Sequence, residues 1–156
     1  MLKKDPKLLV PLIKELENYL SVKDKRNDKI SMSDVAWQID HTLKVLNLVS
    51  ESIINSNPED YKWRINKWRL MLFTLGYIPR GKAKAPKIVR PPEVISSEDL
   101  KIQINLAYKN IVNLNSLDKK ANFTHFVFGQ LNKAKTIQFL KLHTNHHLKI
   151  IRDILK

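Results

Sequence analysis

The chain of 156 residues contains no cysteine, so disulfides, thiolate metal sites and a cysteine nucleophile are excluded. Any metal would have to sit on nitrogen or oxygen ligands. Glycine is scarce, with three residues, and the seven prolines cluster near expected helix ends or in one linker. That pattern favours long helices over short strands joined by tight turns. No stretch approaches the ~20 apolar residues that cross a bilayer, and the apolar run Leu8–Ile13 is broken by Pro11 and followed at once by Lys14, Glu15 and Glu17. A soluble cytoplasmic protein without a membrane partner is the expectation. Acidic residues are missing from Tyr61 to Pro92, a window that holds nine of the 28 basic residues in a chain of net charge +13. Such a patch can attract phosphate backbones, anionic membrane surfaces or anionic small molecules, or be a solvated face.

What is present is helical periodicity at a length that suits one domain spanning residues 1–156. Leu9, Leu12, Ile13, Leu16 and Leu20 mark a first helix over Pro6–Leu20. Ser31 or Ser33 offers the cap of a second that runs to about Asn55. Pro58 opens a third, with Tyr61, Ile65, Trp68, Leu72 and Leu75 as its buried stripe and Gly76 as its end. Tyr77 to Ile95, with Pro79, Pro86, Pro91 and Pro92, reads as an extended basic strap. Ser96 or Ser97 caps a fourth helix with Ile102, Leu106, Ile111 and Leu114 on its face, and a loop from Asp118 to Gln130 precedes the last, Asn132 to about Leu155. The expected fold is all-α, an antiparallel four-helix bundle with one accessory helix and the Pro-rich strap.

Three of the five histidines lie in His143-Thr144-Asn145-His146-His147. At ~100° per residue, His143 and His147 stand ~40° apart and one turn above each other, so both imidazoles can reach one ion. Ile137, Leu140, Leu148, Ile151 and Ile154 place that pair toward the interior, opposite Lys141, Asn145, Lys149 and Arg152. In the second helix His41 shares the inward face of Trp37, Val45 and Leu48, while Asp40, Asn47 and Glu51 fall on the solvent side. His41 is the natural third ligand, and three nitrogens with open positions form a catalytic pattern rather than a closed structural one. The competing reading is a set of satisfied core histidines.

The runs Val35-Ala-Trp-Gln-Ile-Asp-His41-Thr-Leu, His125-Phe-Val-Phe-Gly129 and Leu142-His143-Thr-Asn-His146-His147-Leu148 resemble the DinB-like (YfiT-like) metalloenzyme superfamily, closest to a branch of unknown function. The similarity covers about Ser31 to Ile154. It implies a four-helix bundle with three histidine ligands to one divalent ion, carried onto His41, His143 and His147. The branch often has a His before a Gly where His125 stands, but with a Pro-containing spacer that Phe126-Val127-Phe128 lacks. His125 either lines the pocket mouth or fixes its loop, with the loop role preferred. His146 reads as a ligand neighbour or a solvent-facing residue.

A three-histidine site can lower the pKa of a bound water or thiol and polarise a carbonyl. Characterised relatives include thiol-dependent transferases and isomerases, which implies a low-molecular-weight thiol brought in with a small-molecule substrate, and S-transfer or a related hydrolysis or isomerisation. Zinc is the first choice of metal and nickel the second, with iron or manganese also compatible. The resemblance also implies a homodimer. The strap residues Arg80, Lys82, Lys84, Lys87 and Arg90 would attract an anionic thiol or substrate if the strap faces the pocket. Asp34, on the side of His41, would support the pocket or serve as an N-terminal helix acid. No HExxH, paired ExxH, Gly-rich phosphate loop or nucleophile elbow is present. The alternatives are a metal-binding bundle without catalysis and a nucleic-acid-binding protein. For the latter, Lys62, Arg64, Lys67 and Arg69 interleave with Tyr61, Trp63 and Trp68, but Trp68 is assigned to the buried stripe.

Overall fold

The computed structural model describes residues 5–81 and 84–156. Five α-helices carry the chain: α1 Val10–Asn18, α2 Val35–Ile54, α3 Lys67–Leu75, α4 Ser97–Ser116 and α5 Lys133–Ile154. Between α4 and α5 lies a two-stranded antiparallel hairpin, β1 Asn122–His125 and β2 Gly129–Asn132, in which Phe123 opposes Leu131 and His125 opposes Gly129. The fold is therefore mostly helical rather than all-α, and the loop expected over Asp118–Gln130 contains the first strand, the turn and the start of the second. Gly129 sits at φ 68°, a left-handed turn position that glycine fills without strain.

Polar caps set the helix starts. Asp34 begins α2 by accepting from the Trp37 N–H at 2.8 Å; neither Ser31 nor Ser33 does so, because Ser31 Oγ is taken by the Ser33 N–H in the preceding turn. Ser96 caps α4 and Asn132 caps α5 in the same way. The first expected helix is present with a tighter 3-10 turn at each end, Pro6–Leu9 and Tyr19–Val22.

Helix α2 packs against both α4 and α5, and α1 also lies on α4 and α5. Leu9, Ile13 and Leu16 meet Ile39, Leu43, Leu46 and Ile53 with Leu100, Ile104, Leu114, Ile137 and Leu148 in one core. Each such side chain contributes roughly 1.5–3 kcal/mol by leaving water. On α4 the buried face is Leu100, Ile104, Ala107, Ile111 and Leu114, whereas Ile102, assigned inward by spacing, is exposed.

Sandwiching α2 between two partners also corrects the orientation of its polar residues. Asp40 and Asn47 are buried against α4, not solvated. Gln103 Nε2 donates to Asp40 Oδ1 at 2.7 Å, Asn47 Nδ2 donates to the Gln103 carbonyl, and Asn110 Nδ2 donates to Asn47 Oδ1. These contacts pair Asp40 Oδ1 and the side chains of Asn47 and Asn110, and Lys44 Nζ meets Asp40 Oδ2 at 2.6 Å, which offsets the cost of burying them.

The third helix is the largest departure. Pro58–Asp60 makes only a 3-10 turn, residues 61–66 run extended, and the helix begins after Asn66, whose side chain accepts from the Arg69 N–H. The hairpin diverts this segment: the Lys62 N–H donates to Gln130 Oε1, Asn66 Nδ2 to the Val127 carbonyl, and Arg69 Nη1 to the carbonyls of Phe128 and Gln130. Only Phe73 of α3 is buried, and Ile65, Trp68 and Leu75 are exposed. Gly76 ends the helix in the left-handed conformation, as expected.

Candidate metal centre

Helix α2 and helix α5 bring His41, His143 and His147 to one place. One ring nitrogen from each lies within 4.8 Å of the other two. The ring centroids are 5.2 Å apart for His41–His143, 4.8 Å for His41–His147 and 4.6 Å for His143–His147. Among the described residues no further histidine and no carboxylate joins this group.

Two of the rings are held from behind. His41 Nδ1 lies 2.8 Å from the Val89 carbonyl, and His147 Nδ1 lies 2.7 Å from Gln38 Oε1. A carbonyl oxygen only accepts, so each Nδ1 carries the proton and each Nε2 keeps its lone pair. The Gln38 amide is fixed in turn by Nε2 donating to Ser31 Oγ at 3.3 Å. Trp37 stacks on His41 at 5.0 Å with planes 24° apart. His143 packs between the other two imidazoles and Phe139.

Burial keeps these rings uncharged. It pushes the pKa of His41 down, and it drives those of His143 and His147 well below the ordinary histidine value, with the neighbouring imidazoles adding to the effect. The neutral, Nδ1-protonated imidazole is the form that donates Nε2 to a metal. A tetrahedral ion at about 2.0–2.1 Å from each nitrogen would set them about 3.3–3.4 Å apart. The ring nitrogens, within 4.8 Å of one another, lie somewhat further apart than that, so an ion would have to draw them together.

The remaining candidates have other roles. His125 lies at the hairpin turn, where its Nδ1 accepts from the N–H groups of Val127 and Phe128 at 3.1 and 3.3 Å. It stacks between Phe126 and Phe128, each 4.5 Å away, and burial lowers its pKa to about 4. His146 meets His147 edge-on at 5.0 Å and lines a cavity of ≈ 40 Å³ with Ile78, Arg80, Asn145 and Lys149. Asp34 caps α2 by accepting from the N–H of Trp37, the residue stacked on His41.

The strap reaches the site through its backbone. A 3-10 turn at Lys87–Val89 buries the Val89 side chain and turns its carbonyl onto His41. Arg80 is paired with Asp153 at 2.7 Å, while Lys84, Lys87 and Arg90 are exposed and Lys82 lies outside the described residues. Sequence reasoning overlooked Gln38 and Val89. Gln38 had a legible signal, a polar residue one turn before an inward histidine, whereas a backbone acceptor leaves no mark in the side-chain pattern.

A mostly helical chain with three converging, neutral imidazoles defines a candidate metal-binding protein. No family model, curated protein or solved structure matches the chain.

Proposed function

We propose that this protein binds one divalent metal ion through Nε2 of His41, His143 and His147 and uses it in thiol-dependent S-transfer or a related hydrolysis or isomerisation. The observation that carries the metal assignment is the combination of convergence and preset tautomers. Three nitrogens lie within 4.8 Å, and two rings have their Nδ1 protons committed to Val89 and Gln38. Such outer hydrogen bonds orient ligating imidazoles and raise their basicity. The satisfied-core reading accounts for Nδ1 of His41 and His147 but gives no role to the gathering of three neutral imidazoles with ring nitrogens within 4.8 Å of one another.

The architecture, read as a four-helix bundle of α1, α2, α4 and α5, fits the DinB-like resemblance, as does the division of ligands between α2 and α5. Among the described residues no fourth histidine or carboxylate joins the three, a ligand count that suits open coordination and catalysis better than a closed structural site. When bound, the ion supplies Lewis acidity, favouring the thiolate over the thiol and polarising a carbonyl. The chain supplies orientation: Val89 and Gln38 set two imidazoles, Trp37 covers one face of His41, and Phe139 lies against His143. Zinc is the preferred ion and nickel the next. The thiol and its electrophilic partner come from solution, because the chain has no cysteine.

Metal analysis of untagged protein tests the proposal. Wild type should carry about one equivalent of a divalent ion, and His41→Ala, His143→Ala and His147→Ala should each lose most of it. Equal metal content in all four proteins would defeat the assignment. If metal is present, low-molecular-weight thiols with alkyl or epoxide electrophiles test the reaction class, and failure there would remove S-transfer while leaving the ion.

A further inference from the structure

The segment from Tyr61 to Leu75 is exposed in a way its composition does not suggest. Trp63 and Ile65 in the extended stretch are 67% and 75% exposed, and Trp68 on α3 is 61% exposed. Met71 and Leu75 follow Trp68 at helical intervals of three and seven and are also exposed, forming an outward apolar stripe. Phe126, 70% exposed at the hairpin tip, belongs to the same region, because Asn66 Nδ2 holds the neighbouring Val127 carbonyl at 2.9 Å. Lys62, Arg64 and Lys67 are exposed among these side chains, and no acid occurs from Tyr61 to Pro92.

We infer that this face docks onto an anionic lipid surface, lying in the interface without crossing it. No helix among the described residues is long and apolar enough to cross a membrane, but interfacial docking needs only an apolar face, tryptophan and flanking cations. The charge selects the occupant. A second copy of the same face would bring like charges together, whereas an anionic leaflet is complementary. The side-chain chemistry selects it again. Ile65, Met71 and Leu75 have no flat π-face to stack on a base, but they partition into the boundary between headgroups and acyl chains. Trp63 and Trp68 suit the headgroup level, where an apolar ring can keep its N–H hydrated. Arg69 instead braces the platform, its guanidinium bound to the carbonyls of Phe128 and Gln130. The inference stands on these residues and does not depend on the metal site.

The test uses full-length protein with unilamellar vesicles of phosphatidylcholine, with and without phosphatidylglycerol. Binding is read by cosedimentation, and depth by the tryptophan emission shift and by quenching from brominated acyl chains. Wild type should sediment with the anionic vesicles only, more weakly as salt rises, with blue-shifted and quenched emission. Trp37, half-buried against His41, contributes an unchanged background. Trp63→Ser/Trp68→Ser should lose the quenching and most of the binding. Lys62→Gln/Lys67→Gln should weaken binding about 25-fold, roughly fivefold per charge removed. All four side chains are exposed, so unchanged far-UV circular dichroism is expected in both variants. No cosedimentation at low salt overturns the inference. So does vesicle binding without quenching that single-stranded DNA competes away, which would make the face a nucleic-acid surface. A concentration-dependent dimer that Trp63→Ser/Trp68→Ser dissociates, with no vesicle binding, would identify a second copy as the occupant.

Discussion

Replacing Gln38 tests whether the centre is built as an oriented ligand set. Gln38 is buried, and its Oε1 lies 2.7 Å from His147 Nδ1. Gln38→Leu keeps roughly the same volume and removes the acceptor, leaving a buried N–H without a partner at a cost of about 1–3 kcal/mol. Part of that cost falls equally on the metal-free and metal-bound forms. The part that differs arises because coordination at Nε2 makes the Nδ1 proton more acidic and its hydrogen bond stronger. Losing that differential, together with the preset tautomer and ring angle, should weaken metal binding by about 10- to 100-fold. Gln38→Glu should act in the opposite sense, since a carboxylate accepts the same proton more strongly. Zinc competition against a chromophoric chelator at neutral pH measures both. Wild-type affinity in Gln38→Leu, or a shift of both variants in the same direction, would refute the orientation argument.

Acidification should destabilise the metal-free protein. The folded-state pKa values of His41, His125, His143 and His147 are all depressed, that of His125 to about 4, so below about pH 6.5 the unfolded chain binds more protons. Their stabilising contribution is complete above pH 6.5 and is lost as pH falls, the His125 share between 6.5 and about 4. Urea midpoints should decline across that range and decline less steeply in His125→Phe; greater stability at pH 5 than at pH 7 would contradict the assignment. At neutral pH, His125→Phe should itself cost about 1–3 kcal/mol, because it frees the N–H groups of Val127 and Phe128. Asp40→Ala should cost about 2–3 kcal/mol in urea unfolding, as it removes the acceptor of Gln103 and the ion-pair partner of Lys44 at 2.6 Å. An unchanged midpoint would show that this buried contact contributes nothing net.

The parts legible in the sequence were those set by local periodicity and capping. The HxxxH spacing on α5 and the inward phase of His41 on α2 were enough to select three side chains that the fold brings together. Ser96 and Gly76 marked helix ends because capping chemistry acts within a few residues. The misreadings had distant causes. Hydrogen bonds from Lys62, Asn66 and Arg69 to the hairpin, about sixty residues away in the chain, replaced a continuous third helix by extended chain and a short helix. Its apolar residues give a helical period, but only Phe73 is buried and, of the expected stripe on α3, only Leu72 packs half-buried against the core. Asp40 and Asn47 read as solvated because polar side chains on a helix face usually meet water, whereas α4 sets Gln103 and Asn110 opposite them.

The hold on His41 by a main-chain oxygen makes the strap tolerant in one respect and brittle in another. Almost any side chain at position 89 presents the same oxygen, so point changes there should erode packing long before they release the imidazole. A one-residue insertion or deletion between Pro86 and Pro91 is different, because it would rotate the peptide plane and aim the oxygen elsewhere. What this stretch must preserve is therefore its length between two rigid prolines more than its spelling.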